Sequence, residues 1–193
     1  MYREIMAGMS IKRYGFLLAL AAASISGGCN RNTDAPMAPT EPAEPVYVIE
    51  GNPVRLDEGV YVGEDGTVSL LKSVSGDLDS DEFEDRTAVL RLDSKGSGIF
   101  YYLNVFSGDG EGGQSLVGAE FLGDRIKFDF IQIYGEGSIS SLTGVSIHPD
   151  DYGQVAVGFS FHAEDQAFSE EPGLYITRHW KVSGGRLVLL ENY

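Results

Sequence analysis

From Val46 onward, apolar residues fall in short runs broken by Gly, Asp and Asn, and helical spacing is absent. That pattern predicts strands. They are expected at 47–50, 60–63, 67–72, 87–92, 98–106, 115–122, 125–134, 138–148, 154–162, 173–182 and 186–190. Ile99, Tyr101, Leu103 and Val105 share one face of their strand, and Phe100, Tyr102 and Phe106 share the other. A strand apolar on both faces is central and covered. Val155, Val157, Phe159 and Phe161 alternate with Ala156, Gly158, Ser160 and His162, so the second face there meets water or a small-residue contact. The apolar phase flips at Phe130/Ile131, which predicts a bulge or a bend between sheets. Glu64-Asp65-Gly66 and Gly184-Gly185 read as tight hairpin turns. Trp180 shares a face with Leu174, Ile176 and Val182 and is expected in the core. Arg178 interrupts that face, a place for an ion pair, and Phe168 is expected to fold back onto the core. The prediction is an all-β fold, a single antiparallel sandwich or barrel-like domain over residues 46–193.

The first part of the chain has another pattern. Lys12 and Arg13 precede a 12-residue apolar run from Tyr14 to Ile25. A bilayer core needs about 20 helical residues, so this run suits the core of an export signal instead. Ser26-Gly27-Gly28 then lead to Cys29, the only cysteine. The segment resembles a bacterial lipobox, with Ser26 where Leu is usual and Ile25 one step earlier. The resemblance implies a lipoprotein signal over 1–28 and a Cys29 carrying acyl chains, palmitate among them. An ordinary secretory signal with a chance cysteine is the alternative. Asn30, rather than Asp, follows the cysteine. By the same resemblance the protein is expected at the outer membrane, facing the periplasm or the surface. Met9 directly precedes Ser-Ile-Lys-Arg, a usual start, and is expected to be the true first residue. Residues 29–45 hold the lipidated cysteine and a Pro-rich tether, expected to be extended.

Charge and cysteine narrow the chemistry. The chain has 14 basic and 29 acidic residues, a net −15. Losing Arg3, Lys12, Arg13 and Glu4 with the leader leaves 11 basic and 28 acidic, a net −17. Such a surface repels phosphate backbones, so no nucleic-acid partner is expected. A single cysteine excludes an internal disulfide and a thiolate metal cluster.

Candidate chemistry concentrates just before the strand expected at 87–92. Asp77, Asp79, Asp81 and Asp85 stand at positions 1, 3, 5 and 9 of a short loop, with the Phe83 carbonyl at position 7. Calcium takes six to eight oxygens, and carboxylates two apart can turn inward on a curling loop. Position 12 is Ala88 and position 6 is Glu82, so this is not an EF-hand loop. It is closer to acidic loops that precede a strand in calcium-binding β proteins. A degenerate loop that no longer binds, or a solvated acidic turn, are the alternatives.

Other motifs carry less. Gly108-Asp109-Gly110-Glu111-Gly112-Gly113 fits G-x-G-x-x-G, but strand-like sequence follows it and two acids sit within it, so it reads as a hairpin loop. His148, His162 and His179 lack metal-ligand spacing, and no G-x-S-x-G nucleophile elbow occurs. No catalytic residue is assigned.

Three motifs in order resemble an uncharacterised family of bacterial envelope lipoproteins. They are Gly76-Asp77-Leu78-Asp79-Ser80-Asp81 with Asp85, then Gly96-Ser97-Gly98-Ile99-Phe100-Tyr101-Tyr102-Leu103, then Phe121-Leu122-Gly123-Asp124-Arg125. The family pattern resembles a D-L-N-G-D-G loop, so Ser80 and Glu82 stand where glycine is usual. The resemblance implies export, a β-rich domain and a recurrent acidic loop, and brings no activity. The expected function is a lipid-anchored, non-enzymatic binding or structural module, with calcium as its cofactor. A hydrolase of envelope polymers with carboxylates assembled in space, and an inhibitor or assembly factor for an envelope protein partner, are the alternatives.

Overall fold

The computed structural model of the chain describes residues 44–190. The leader, Cys29 and nearly all of the tether lie outside the described residues, and so does the expected start at Met9. The described residues form eleven strands and one 3-10 turn, Pro149–Asp151, with no α-helix among them.

Strands β1 (Tyr47–Ile49) and β2 (Asn52–Val54) make a short hairpin. Strands β3 (Val60–Val62), β4 (Gly66–Gly76), β5 (Asp85–Ser94), β6 (Ile99–Gly108) and β7 (Gln114–Asp124) form a five-stranded antiparallel sheet in chain order. Strands β8 (Lys127–Ile133), β9 (Gln154–Phe161), β10 (Leu174–Ser183) and β11 (Arg186–Leu190) form a second one. β4 lies against β8 and β7 against β11, so the sheets stack as a sandwich and do not close into a barrel.

The alternation read from sequence builds both cores. Tyr101, Leu103 and Val105 point between the sheets, where they meet Val155, Val157, Phe159 and Trp180. Tyr102 and Phe106 point the other way and are covered by Tyr47, Ile49 and Val54 of the β1–β2 hairpin. β6 is therefore buried on both faces. Full burial of each of these aliphatic or aromatic side chains stabilises the fold by about 1.5–3 kcal/mol. The hairpin docks through Asn104 in β6, itself fully buried. Its Oδ1 accepts from the Val48 N–H at 2.6 Å, and its Nδ2 donates to the Val48 carbonyl at 3.0 Å.

The expected bulge occurs: Phe128 pairs with Phe159 and Phe130 with Gly158, leaving Asp129 unpaired. Gly184 and Gly185, at φ 58° and 71°, make the turn into β11. Gly108–Gly113 is the β6–β7 hairpin loop, with Asp109 Oδ1 accepting from the Glu111 and Gly113 N–H groups.

Four expectations are corrected. Residues 138–148 form no strand and keep one isolated bridge, Ile139 to Ser146. Gly144 is left-handed, at φ 68°. The Ser140 hydroxyl accepts from the Leu142 and Thr143 N–H groups, diverting the backbone from a ladder. β2 was not anticipated, because Pro53 interrupts it; such a residue is tolerated on a short edge strand. Phe168 is 64% exposed, edge-on to His162 and under the Arg125 guanidinium. Among the described residues Arg178 has no carboxylate partner and lies over the Phe159 ring at 5.4 Å.

Candidate cation site at the β4–β5 turn

The acidic loop is the connection between β4 and β5. Two left-handed residues shape it: Ser80 at φ 66° and Glu82 at φ 71°. A non-glycine residue in this region costs about 1–2 kcal/mol. Side-chain caps hold the curl. Asp77 Oδ1 accepts from the Ser80 N–H at 2.7 Å and Oδ2 from the Glu82 N–H at 3.3 Å. Asp81 Oδ1 accepts from the Phe83 N–H at 2.9 Å.

Leu78 anchors the loop from within. It is 1% exposed and belongs to the core between the sheets. Gly153 allows this approach, since a Cβ there would lie 2.7 Å from the Leu78 carbonyl oxygen. Gly108 does the same at the loop's far end, where a Cβ would collide with the Glu84 carbonyl.

Asp85 ties these pieces together. It is 1% exposed. Its Oδ2 accepts from the Leu78 N–H at 2.7 Å and its Oδ1 from the Gly108 N–H at 2.9 Å. One carboxylate thus joins the loop's start, the first residue of β5 and the end of β6.

One oxygen each from Asp77, Asp79 and Asp85 lie within 4.8 Å of one another. Two oxygens that share a cation at 2.3–2.6 Å can be no more than about 5 Å apart, so the three together can hold a metal ion. Each oxygen already accepting an N–H keeps a second lone pair for that purpose. The Asp79 carboxyl is pushed above its ordinary value by partial desolvation, then by the charges of Asp85, Asp81 and Asp77. The site therefore concentrates negative charge that the protein's own cations do not offset among the described residues.

Of the residues singled out from sequence, Asp77, Asp79 and Asp85 converge. The Asp81 carboxylate caps the Phe83 N–H, and the Phe83 ring, 44% exposed, lies against Gly110. The sequence spacing offers Asp85 as a metal ligand at position 9 but does not reveal its bracing role, because the partner glycine lies 23 residues away on another strand. A lone Leu inside an acidic run was the available sign that this loop is partly core.

No family model matches the chain, and no curated protein or solved structure is significantly similar to it.

Proposed function

We propose that this is a lipid-anchored module of the bacterial envelope, tethered through Cys29 at the outer membrane, that binds or scaffolds rather than catalyses. Its β4–β5 turn is held by calcium. The observation that carries the reading is the convergence of Asp77, Asp79 and Asp85 around a buried carboxylate that already organises three parts of the fold. Desolvation and then the neighbouring carboxylate charges raise Asp79, and a divalent cation there offsets both. Asp81 and the Phe83 carbonyl, at positions 5 and 7 of the same loop, are the further oxygens that the spacing offers. An all-oxygen set of loop carboxylates suits calcium better than magnesium, which demands near-ideal octahedral geometry and keeps several waters. The ion is structural: it fixes how β5 leaves the loop, and no substrate atom is activated by it. The export signal, the lipobox-like segment and the three family-like motifs support the envelope location.

The test has two arms on the full-length protein. Metabolic labelling with a palmitate analogue marks the wild type and spares Cys29→Ser; equal labelling of both removes the tether from the account. Thermal unfolding in calcium and in a chelator reads the second claim. A site saturated 100-fold above its Kd adds about 2.7 kcal/mol. That is roughly 5–11 °C in Tm for a domain of this size. The rise is lost in Asp79→Asn. An identical Tm in calcium and chelator contradicts the calcium claim and leaves the tether untouched.

A further inference from the structure

The outer face of the second sheet carries a cleft of about 1080 Å³ that runs from Tyr134 to Leu190. β10 alternates, sending Ile176, Trp180 and Val182 inward to the core and Tyr175, Thr177 and His179 outward into this cleft. The segment after β8 stands along it as a wall. Its base is closed by the Tyr134 N–H to the Gln154 carbonyl and the Gly153 N–H to the Tyr134 carbonyl. Gln132 braces the wall, its Nε2 donating to the Ile139 carbonyl and its Oε1 accepting from Ser141. The wall presents Leu142 and Val145, 54% and 63% exposed, on a segment whose hydrogen bonds show it is preformed.

The floor is an aromatic platform. Gly158 has no side chain, and a Cβ there would collide with the Phe130 ring and the Tyr175 hydroxyl. Tyr175 pairs in register with Ser160, so its hydroxyl reaches along the sheet to Gly158 and the ring lies down on the strands. That ring remains 44% exposed. Tyr134 and His179 line the same cleft and pack edge-on against each other, with ring centroids 5.6 Å apart and an interplanar angle of 64°.

We infer that this cleft binds a neutral saccharide. The polar groups that line it are almost all both donor and acceptor. Tyr134, Tyr175, Thr177 and Gln154 each offer both functions, and Thr177 Oγ1 has no hydrogen-bond partner. Burial pushes the His179 imidazole below its ordinary 6.5, against the opposing pull of Asp151. At neutral pH it is therefore uncharged, with one nitrogen donating and one accepting. Sugar hydroxyls are likewise donor and acceptor at once, and the C–H face of a pyranose packs on an aromatic ring. Among the described residues Asp151 is the one acid in the lining, and its Oδ1 already accepts from Gln154 Nε2 at 3.0 Å. Among the described residues no Lys or Arg lines the cleft, which disfavours anionic ligands. A box for an ammonium ligand is also absent here, since Tyr134 and His179 turn toward each other. The cleft uses none of Asp77, Asp79 or Asp85, so this inference stands apart from the cation site.

The test screens full-length protein against immobilised neutral oligomers of glucose, mannose, galactose and N-acetylglucosamine, alongside anionic and cationic oligosaccharides. Hits are measured by isothermal titration. At least one neutral oligomer binds, and Tyr175→Ala and Gln154→Ala each weaken it about tenfold or more. Phe121→Ala, an exposed aromatic on the other sheet, leaves the affinity within about twofold. Thermal unfolding of each variant identifies any that fail to fold, and the other variant then decides. Binding of charged glycans alone, of no neutral glycan, or binding that survives both cleft substitutions overturns the inference.

Discussion

Replacing Asp85 by Ala separates the two roles assigned to that residue. The carboxylate is buried and accepts two backbone N–H groups, from Leu78 and Gly108. After truncation the Leu78 N–H has no replacement, because Leu78 is only 1% exposed. Leaving a dry donor unpaired costs about 2–3 kcal/mol. Gly108 is half-buried, so water recovers part of its bond and the cost there is about 1 kcal/mol. The sum is about 3–4 kcal/mol, roughly 6–16 °C in Tm for a domain of this size. Asp85→Asn keeps one acceptor of similar shape and should cost about half as much. The assay is urea unfolding of the full chain in chelator, so that no cation contributes. The sign is diagnostic. If Asp85 mattered mainly as one more charge in a crowded loop, its removal without metal would stabilise the fold. A loss under about 1 kcal/mol, or a gain, refutes the bracing role.

Three further outcomes follow from the same geometry. Glu82→Gly relieves a left-handed residue worth about 1–2 kcal/mol, less about 0.5–1 kcal/mol of added freedom in the unfolded chain. Urea unfolding should therefore show a gain of up to about 1.5 kcal/mol, and a loss contradicts the loop geometry. Asp79 binds its proton more tightly folded than unfolded, so its contribution is present below its ordinary 3.8 and is lost as pH rises through the raised folded value. In chelator, Asp79→Asn should flatten the pH profile of stability across that window, while an unchanged profile removes the crowding. Asn104→Ala strands the Val48 N–H and carbonyl beneath the β1–β2 hairpin and should cost about 3–4 kcal/mol. Hydrogen exchange should show the Val48 amide losing its protection, and a still-protected amide would place the docking elsewhere.

Much of the fold was legible because period-two alternation is a local signal. The two-faced strand at Ile99–Gly108 and the phase flip at Phe130 both predicted what surrounds them. The failures share a cause as well. Residues 138–148 have strand-like composition, yet the Ser140 hydroxyl and the left-handed Gly144 take their backbone bonds. Phe168 looked like core, but Arg125 and His162 hold its ring at the surface. At the acidic loop the spacing of Asp77, Asp79 and Asp85 announced convergence. The bracing bonds of Asp85 could not be read, since Gly108 is distant in sequence. The saccharide cleft left no local trace: Tyr134, Gln154, Tyr175 and His179 come from separate elements and meet only on the folded sheet.

A calcium ion among Asp77, Asp79 and Asp85 is the proposed brace of the β4–β5 turn. Isothermal titration of the full chain with calcium tests it most directly. The expected result is one ion per chain, weaker binding of magnesium, and no measurable binding in Asp79→Asn. Absence of heat together with an unmoved Tm at millimolar calcium would contradict the claim, leaving the loop as an acidic turn braced by Asp85 alone.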